Sequence, residues 1–362
     1  MPFLFNAWYV AAFSHEVTAS GLLARTVLEH PVVLYRDAGG AAIALDDRCP
    51  HRFAPLSRGR LIDGALECPY HGLRFGTSGA CVFNPHGDGR VPPAATVRRY
   101  PVRERYGAIW IWPGDPRRAD AAPLPDFDFL DPEHNVTSDG YLLTNAGYQL
   151  SADNLLDLSH FQYLHPATLG SDAMAHGSVQ AIEQDDTVWV RRDMTAERLQ
   201  PLVADTFGLA RGVLADRRLD VRWTPPGLLT VFVRVAETGA SPDTARVGLS
   251  AHWLTPQTAT STHYFFAFGL PRAMGDAAAM LVRAAIEGLM QPFRDEDLPM
   301  LEAQQRAIGT SDFWSLRPVL LPIDAGALRA RRIMERLIAG ERNAGRAAAQ
   351  GTPAGTLREP AE

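Results

Sequence analysis

The sequence predicts an α+β protein: a small all-β domain, then a mixed domain in which an antiparallel sheet is flanked by helices. Three observations carry this. From Trp8 to about Trp112, short apolar stretches (RTVLEHPVVLYRD, AAIALDD, GAIWIW) are separated by Gly, Pro and Asp, the pattern of short strands joined by tight turns. From Tyr141 onward, strand-like alternation is mixed with helical stretches. The chain has 362 residues, 46% hydrophobic and 21% charged, enough for a substantial core and two domains.

In chain order, MPFLFNAWYVAAF is apolar but short, with no basic residues ahead of it and no clear cleavage site. It is expected to be a first strand rather than a signal peptide. PGDPRRADAAPLPDFDFLDP is dense in Pro and Asp and lacks apolar periodicity, so the domain boundary is placed inside it, giving residues 1–115 and 116–342. DNLLDLSHFQYLH is helical in composition, whereas TVWVRRDM, DVRWTPPGLLTVFVRV, ARVGLSAHWLTP and THYFFAFGL alternate like antiparallel strands. AAAMLVRAAIEGLM and, after Pro292, DLPMLEAQQRAI are predicted helices. Ala330, Ile333, Met334, Leu337 and Ile338 recur at helical spacing, with Asp324 as cap and Gly340 as stop. Residues 343–362 are expected to be a frayed tail, and there are no internal repeats.

Composition narrows the function. All 35 basic residues are arginine, which excludes Schiff-base lysine chemistry and a phosphate-loop lysine. A net charge of -6 with dispersed arginines disfavours nucleic acid, and no run approaches the length of a membrane-spanning helix. Three cysteines do not make a disulfide framework, so a reducing, cytoplasmic setting is expected; Cys81 reads as a buried small hydrophobe.

The other two cysteines sit in Cys49-Pro50-His51 and Cys68-Pro69-Tyr70-His71, separated by 16 residues from His51 to Cys68. Zinc accepts two thiolates and two imidazoles, but finger-type spacing pairs the cysteines together and the histidines together. Here each loop supplies one of each. That suits a Rieske [2Fe–2S] centre, in which one iron takes both thiolates and the other both imidazoles. Pro50, Pro69 and Gly72 fit tight loops, and His86 in NPHGDG reads as a loop histidine.

A cluster with every position filled by protein passes electrons and leaves no vacancy for substrate. SADNLLDLSHFQYLHP offers a second centre. Asn154, Asp157 and His160 are spaced by three, along one side of a helix. His165 lies five beyond His160, ~140° away in an unbroken helix, so the two converge only if the helix ends or bends between them. Pro166 is consistent with that bend. Two imidazoles and one carboxylate make the facial triad of a mononuclear Fe(II) site with open positions. For the carboxylate, Asp295, Glu296, Asp297 and Glu302 are all plausible on spacing.

These loops resemble the Rieske motif of bacterial aromatic-ring oxygenases. Respiratory-chain Rieske proteins carry an additional cysteine in each loop; HRFAP and CPYHG have none. The resemblance runs from NAWYVAAF through both cluster loops, Asn154-x2-Asp157-x2-His160-x4-His165 and DLPMLEAQQR to the IDAG-led last helix. The chain is similar in this way to the oxygenase components of the vanillate and dicamba O-demethylase type. It implies a Rieske domain followed by a catalytic domain, with Asp297 as third iron ligand because the family's ligand Asp precedes a Glu by five residues, as Asp297 precedes Glu302. It also implies that Asp157 bridges His160 of one subunit to His71 of its neighbour, hence a homotrimer, and that Asn154 sits near the iron without being a standard ligand.

The implied reaction is O-demethylation of a vanillate-like methoxylated aromatic acid with O2. Electrons come from NAD(P)H through a separate flavin and iron–sulfur reductase, since no flavin motif occurs in this chain. Substrate contacts are the faintest signal: His252 alternates on a predicted strand, and Arg222 and Arg234 are candidates for a substrate carboxylate. Competing readings are hydroxylation of a ring or side chain or cleavage of another ether, amine or sulfonate; a Rieske electron carrier or redox sensor without catalytic iron; and a structural zinc protein.

Overall fold

A computed structural model describes residues 3–350. The N-terminal part is three small antiparallel sheets. One joins Tyr9–Phe13, Ala108–Ile111 and Val102–Arg105; a second joins Leu23–Val27, His30–Arg36, Ala42–Asp46 and Arg99–Tyr100; the third joins Arg60–Ile62, Ala65–Glu67, Arg74–Phe75 and Cys81–Phe83. The expected first strand is therefore present at Tyr9–Phe13, every residue of it buried.

The C-terminal part is built on a seven-stranded antiparallel sheet. Its order is Asn135–Thr144, Ser261–Pro271, Arg246–Thr258, Leu228–Glu237, Leu214–Thr224, Thr187–Arg198 and Ser178–Gln184. Period-two alternation divides the faces. Trp253 and Phe265 point one way, into a cluster with Trp8, Trp110, Trp112 and Phe127 of the N-terminal region and the connecting stretch. Leu254, Tyr264 and Phe266 point the other way, toward the helices. The Pro- and Asp-rich connection is thus packed, with Phe127 against Trp110 and Trp253 at ring separations of 6.1 and 5.3 Å. Backbone bonds from Leu28 N to Pro256 O (2.8 Å) and Glu29 N to Gln257 O (2.9 Å) tie the two parts together.

Four helices matter for the site: α1 (Tyr148–Leu156), α2 (Asp276–Pro292), α3 (Leu298–Ile308) and α4 (Ala325–Gln350). Asp324 caps the approach to α4, its carboxylate accepting from Leu321 N at 2.6 Å. Three expectations are corrected. The helix passes through Gly340 and Asn343 to Gln350, because an exposed glycine costs a helix only ~1 kcal/mol and no following residue enforces a stop; the rest of the expected tail lies outside the described residues. Cys81 is half-buried on a strand rather than in the core. Asn154, Asp157 and His160 do not share one helix: α1 ends at Leu156, and Asp157 is extended at φ -110° and ψ 92°. Among the described residues, no helix is long and apolar enough to cross a membrane.

Candidate metal centres

The two cysteine–histidine loops are copies of one backbone motif. In the first, Cys49 N donates to Ala54 O (2.9 Å) and Phe53 N to Cys49 O (2.8 Å); in the second, Cys68 N donates to Leu73 O (2.8 Å) and Gly72 N to Cys68 O (3.0 Å). The residue closing each turn is left-handed, Phe53 at φ 59° and Gly72 at φ 72°. Glycine adopts that conformation freely, whereas phenylalanine, its side chain exposed, is held there by the backbone bond that closes the turn. Buried Asp47 braces the first loop, accepting from Ser57 N and Ser57 Oγ, both at 2.6 Å.

Repetition of the motif places like beside like. Cys49 and Cys68 are buried free thiols, while the His51 and His71 rings lie 4.6 Å apart nearer the surface. Burial, reinforced by the neighbouring Cys68 thiol, pushes the Cys49 thiol up to about 11 against the pull of the His51 backbone N–H. Such a thiol ionises only with a cation to bind. His71 Nδ1 is buried without a hydrogen-bond partner, the state of a ring nitrogen kept for a metal. The donor set fits a [2Fe–2S] cluster with thiolates inward and imidazoles outward. His86 stays a loop residue, its Nε2 2.8 Å from the His71 backbone oxygen.

The second site is assembled from chain breaks. After Asp157 interrupts α1, Leu158–His160 form a 3-10 turn and Phe161–Leu164 a single helical turn, ending at His165 ahead of Pro166 as the spacing requires. Thr168, Leu169 and Gly170 then all donate backbone N–H groups to His165 O. A Cβ on Gly170 would run into the Phe161 carbonyl. The breaks bring the His160 and His165 rings to 5.2 Å. Facing them, Phe293–Asp297 is a π-helical turn between α2 and α3, closed by Leu298 N donating to Phe293 O. Pro299 has no N–H to extend the ordinary ladder here, and such widened turns are frequent at functional sites. The turn sends consecutive Glu296 and Asp297 toward the histidines.

The result is one triad. A ring nitrogen from each of His160 and His165 and a carboxylate oxygen of Asp297 all lie within 4.8 Å of one another. Asp297 Oδ1 is 3.5 Å from His160 Nε2 and 3.2 Å from His165 Nε2. The opposite nitrogens are anchored: His160 Nδ1 by the Asp157 backbone carbonyl, His165 Nδ1 by Glu296, which also accepts from Thr168 Oγ1 at 2.7 Å. These anchors take up the ring protons and leave both Nε2 lone pairs for a metal. Burial pushes the Asp297 carboxyl upward, but the two imidazoles facing it through Nε2 outweigh burial and hold it down at about 2, and a metal cation seated there would act in the same direction. Two neutral imidazoles and one ionised carboxylate fit a ferrous ion with open coordination positions. Asn154 Nδ2 donates to Asp297 Oδ1 at 2.9 Å.

An apolar cavity of about 120 Å³ opens beside the triad, lined by Asn154 and Asp297 on one side and by Leu219, Val233, Ser250 and His252 of the sheet on the other. That is close to the space a benzene-sized ring needs. His252 lies here with Ser250, whereas Arg222 and Arg234 are not among the lining residues; Arg222 is bonded to Asp126 O and Thr230 Oγ1. Of the other acidic candidates, Asp295 pairs with Arg294 at the surface and Glu302 accepts from Asn145. The Asp157 carboxylate accepts from Ser159 N and Oγ.

Sequence reasoning missed two features. One is Glu296 as the support of His165, concealed in an acidic run. The other is a buried ion pair in the cavity wall: Arg217 donates from Nε (2.9 Å) and Nη2 to Glu197. Arg217 stands on the inward parity of LADRRLDVRWT with Ala215, Leu219 and Val221, and that placement was its available signal. Glu197 is turned inward by a bulge between Met194 and Glu197, which switches the parity of buried positions along its strand.

Comparison with known proteins agrees with this architecture. Residues 7–101 match the Rieske [2Fe–2S] domain model, and residues 144–340 match the vanillate O-demethylase oxygenase C-terminal domain. The chain is 38% identical to the dicamba O-demethylase oxygenase component of Stenotrophomonas maltophilia, over 93% of this chain and 98% of that protein. It is 39% identical to the chloroacetanilide N-alkylformylase oxygenase component of Rhizorhabdus wittichii, over 94% of this chain and 97% of that one. The crystal structure of dicamba monooxygenase bound to 3,6-dichlorosalicylic acid superposes with a TM-score of 0.86 at 38% identity, covering 94% of this chain and 99% of that one. The chain therefore belongs to the Rieske non-haem iron oxygenases of the vanillate O-demethylase type, as the oxygenase component of a monooxygenase system that takes its electrons from a separate reductase.

Proposed function

We propose that His160, His165 and Asp297 hold the mononuclear iron, that Cys49, His51, Cys68 and His71 hold the cluster, and that the enzyme O-demethylates a small methoxylated aromatic substrate. The observation that carries this is the convergence of three ligand atoms within 4.8 Å at the wall of an apolar cavity sized for one ring. The iron, when bound, supplies dioxygen activation. The chain's residues fix the ligands and keep the reaction dry. Asn154 holds the Asp297 carboxylate, Glu296 and the Asp157 carbonyl set the imidazole tautomers, and the aliphatic lining excludes water. Overall, one oxygen atom enters the methyl group and the other leaves as water, with two electrons and two protons supplied. The oxidised methyl is lost as formaldehyde and leaves a phenol.

The working unit is a homotrimer in the cytoplasm, with Asp157 of one subunit reaching His71 of the next. Supporting this, both hydrogen bonds of the Asp157 carboxylate run to Oδ1, which leaves Oδ2 for such a bridge. A second reading, oxidative removal of an N-alkyl group, is favoured by the relative named chloroacetanilide N-alkylformylase. A panel of methoxylated, N-alkylated and unsubstituted aromatics, assayed with a compatible NAD(P)H-dependent reductase for oxygen uptake and formaldehyde, tests the proposal. Stoichiometric formaldehyde from a methoxylated member is expected. Oxygen-dependent product that retains its methoxy group would overturn O-demethylation.

A further inference from the structure

The cavity wall carries a chain of three buried polar groups. His252 Nδ1 lies 2.8 Å from Tyr264 Oη, and His252 Nε2 lies 2.8 Å from Ser250 Oγ. His252 is 2% exposed and Ser250 9%. Burial pulls the His252 imidazole down to about 3, so at neutral pH it has one N–H and one lone pair. Two orders of donation are then open. If Ser250 donates to Nε2, then Nδ1–H donates to Tyr264 and the Tyr264 O–H is left without an acceptor among Phe266 and Phe293. If Tyr264 donates to Nδ1, then Nε2–H donates to Ser250 and the unspent O–H belongs to Ser250, which lines the cavity. A buried O–H without a partner is costly, so the second order holds, with the substrate supplying the acceptor.

Charge in the same wall is already balanced. Arg217 is engaged by both oxygens of Glu197 and by Leu169 O. An incoming carboxylate would have to share one guanidinium with a buried glutamate. The two charges of a ferrous ion are likewise met by Asp297 and by Glu296, the latter hydrogen-bonded to His165.

Resting on the reading of this cavity as the substrate site, we infer that it selects an uncharged aromatic substrate bearing a neutral oxygen acceptor, such as an amide, ester or ketone, which takes the Ser250 O–H. An aromatic carboxylate brings a charge for which the cavity holds no unbalanced cation. This departs from the aromatic acid that the sequence resemblance implies.

The test is anaerobic calorimetry on the iron-loaded, cluster-containing protein with three probes: a methoxybenzoate anion, the corresponding methoxybenzamide, and anisole. The amide should bind at least about tenfold more tightly than the anion. Ser250→Ala should weaken the amide about tenfold and anisole less than about twofold. The inference is overturned if the anion binds as tightly as the amide, or if Ser250→Ala weakens amide and anisole alike. The wild-type comparison decides the charge question even if the variant fails to fold. Formaldehyde release separates the two layers: demethylation of a tightly bound anion sinks this inference and keeps the O-demethylase reading, whereas no binding and no formaldehyde from any probe sinks both.

Discussion

The cluster loops and the triad solve opposite problems. The loops lie in one short run of sequence from Cys49 to His71, are held by hydrogen bonds within themselves, and carry His51 on the surface with Phe53 and Tyr70 exposed beside it. The triad draws His165 and Asp297 together from 132 residues apart and buries His165 completely. An electron-transfer centre needs its edge near a partner and no vacancy. A centre doing chemistry on a substrate needs open positions that face an enclosed, dry space. Local folding suffices for the first, whereas only the finished tertiary structure can make the second.

The strongest way to break this comparison is Asp297→Ala. Loss of a direct ligand should exceed the 10–100-fold cost of disturbing a ligand's support, so mononuclear iron affinity and formaldehyde production should each fall by more than ~10²-fold. The visible spectrum of the cluster should be unchanged. Bleaching of the cluster in this variant would show that the two centres fold as one unit.

Next in size is the Arg217–Glu197 pair, for which the cluster loops have no counterpart. Glu197→Gln leaves a buried guanidinium without its counter-charge, and the expected loss is about 3–5 kcal/mol in urea unfolding. Replacing both residues by Met should recover most of it. An effect below about 1 kcal/mol would mean that water reaches Arg217, and the cavity would not be as dry as its lining implies.

Glu296→Gln sharpens the comparison further. The amide can still meet His165 Nδ1 but no longer favours its protonation over that of Nε2, so iron affinity should fall about 10–100-fold with the fold and cluster intact. Calorimetry with Co(II) on mononuclear-site-depleted protein reads this directly.

How far each region was legible follows from the same contrast. Two loops of identical hydrogen-bond pattern leave a spacing in the sequence, and the structure sets the Cys49 and Cys68 thiols beside each other and the His51 and His71 rings 4.6 Å apart. His160 and His165 carried a readable conflict, five positions apart on a helix that had to break, and Pro166 marked one break. The other, at Asp157, has no proline or glycine to announce it, and tertiary packing imposes it. Glu296 could not be separated from its acidic neighbours, because a π-helical turn changes which consecutive residues face inward. Glu197 was hidden by a bulge that reverses strand parity, and no alternation rule anticipates that.

The smallest expected effect concerns buried histidines, and it separates the sheet from the cluster surface by pH. Burial pulls His252 down to about 3 and His263 down to about 4. His263 Nδ1 meets Tyr141 Oη at 2.8 Å and its Nε2 meets Thr26 O at 2.9 Å, across the seam between the two parts of the molecule. In the unfolded chain both histidines take a proton near pH 6.5, while in the folded protein both stay neutral well below that. Their contribution is therefore fully present above pH 6.5 and drains away as pH falls, toward about 4 for His263 and about 3 for His252. Each loses up to about 1.4 kcal/mol per pH unit in that interval. Asp297 has the same sign, but its window runs from the usual carboxylate range down to about 2 and so lies below the pH 6.5 to 5 interval in which the histidines are read. Urea midpoints of iron-loaded protein, in which His165 is engaged by metal, should fall steadily from pH 6.5 to 5. His252→Asn and His263→Asn should each flatten that slope by about one proton, measured from the pH dependence of the unfolding free energy. A slope unchanged in both variants would mean that the imidazoles are hydrated, and the seam between the cluster-bearing part and the sheet would then be open to water.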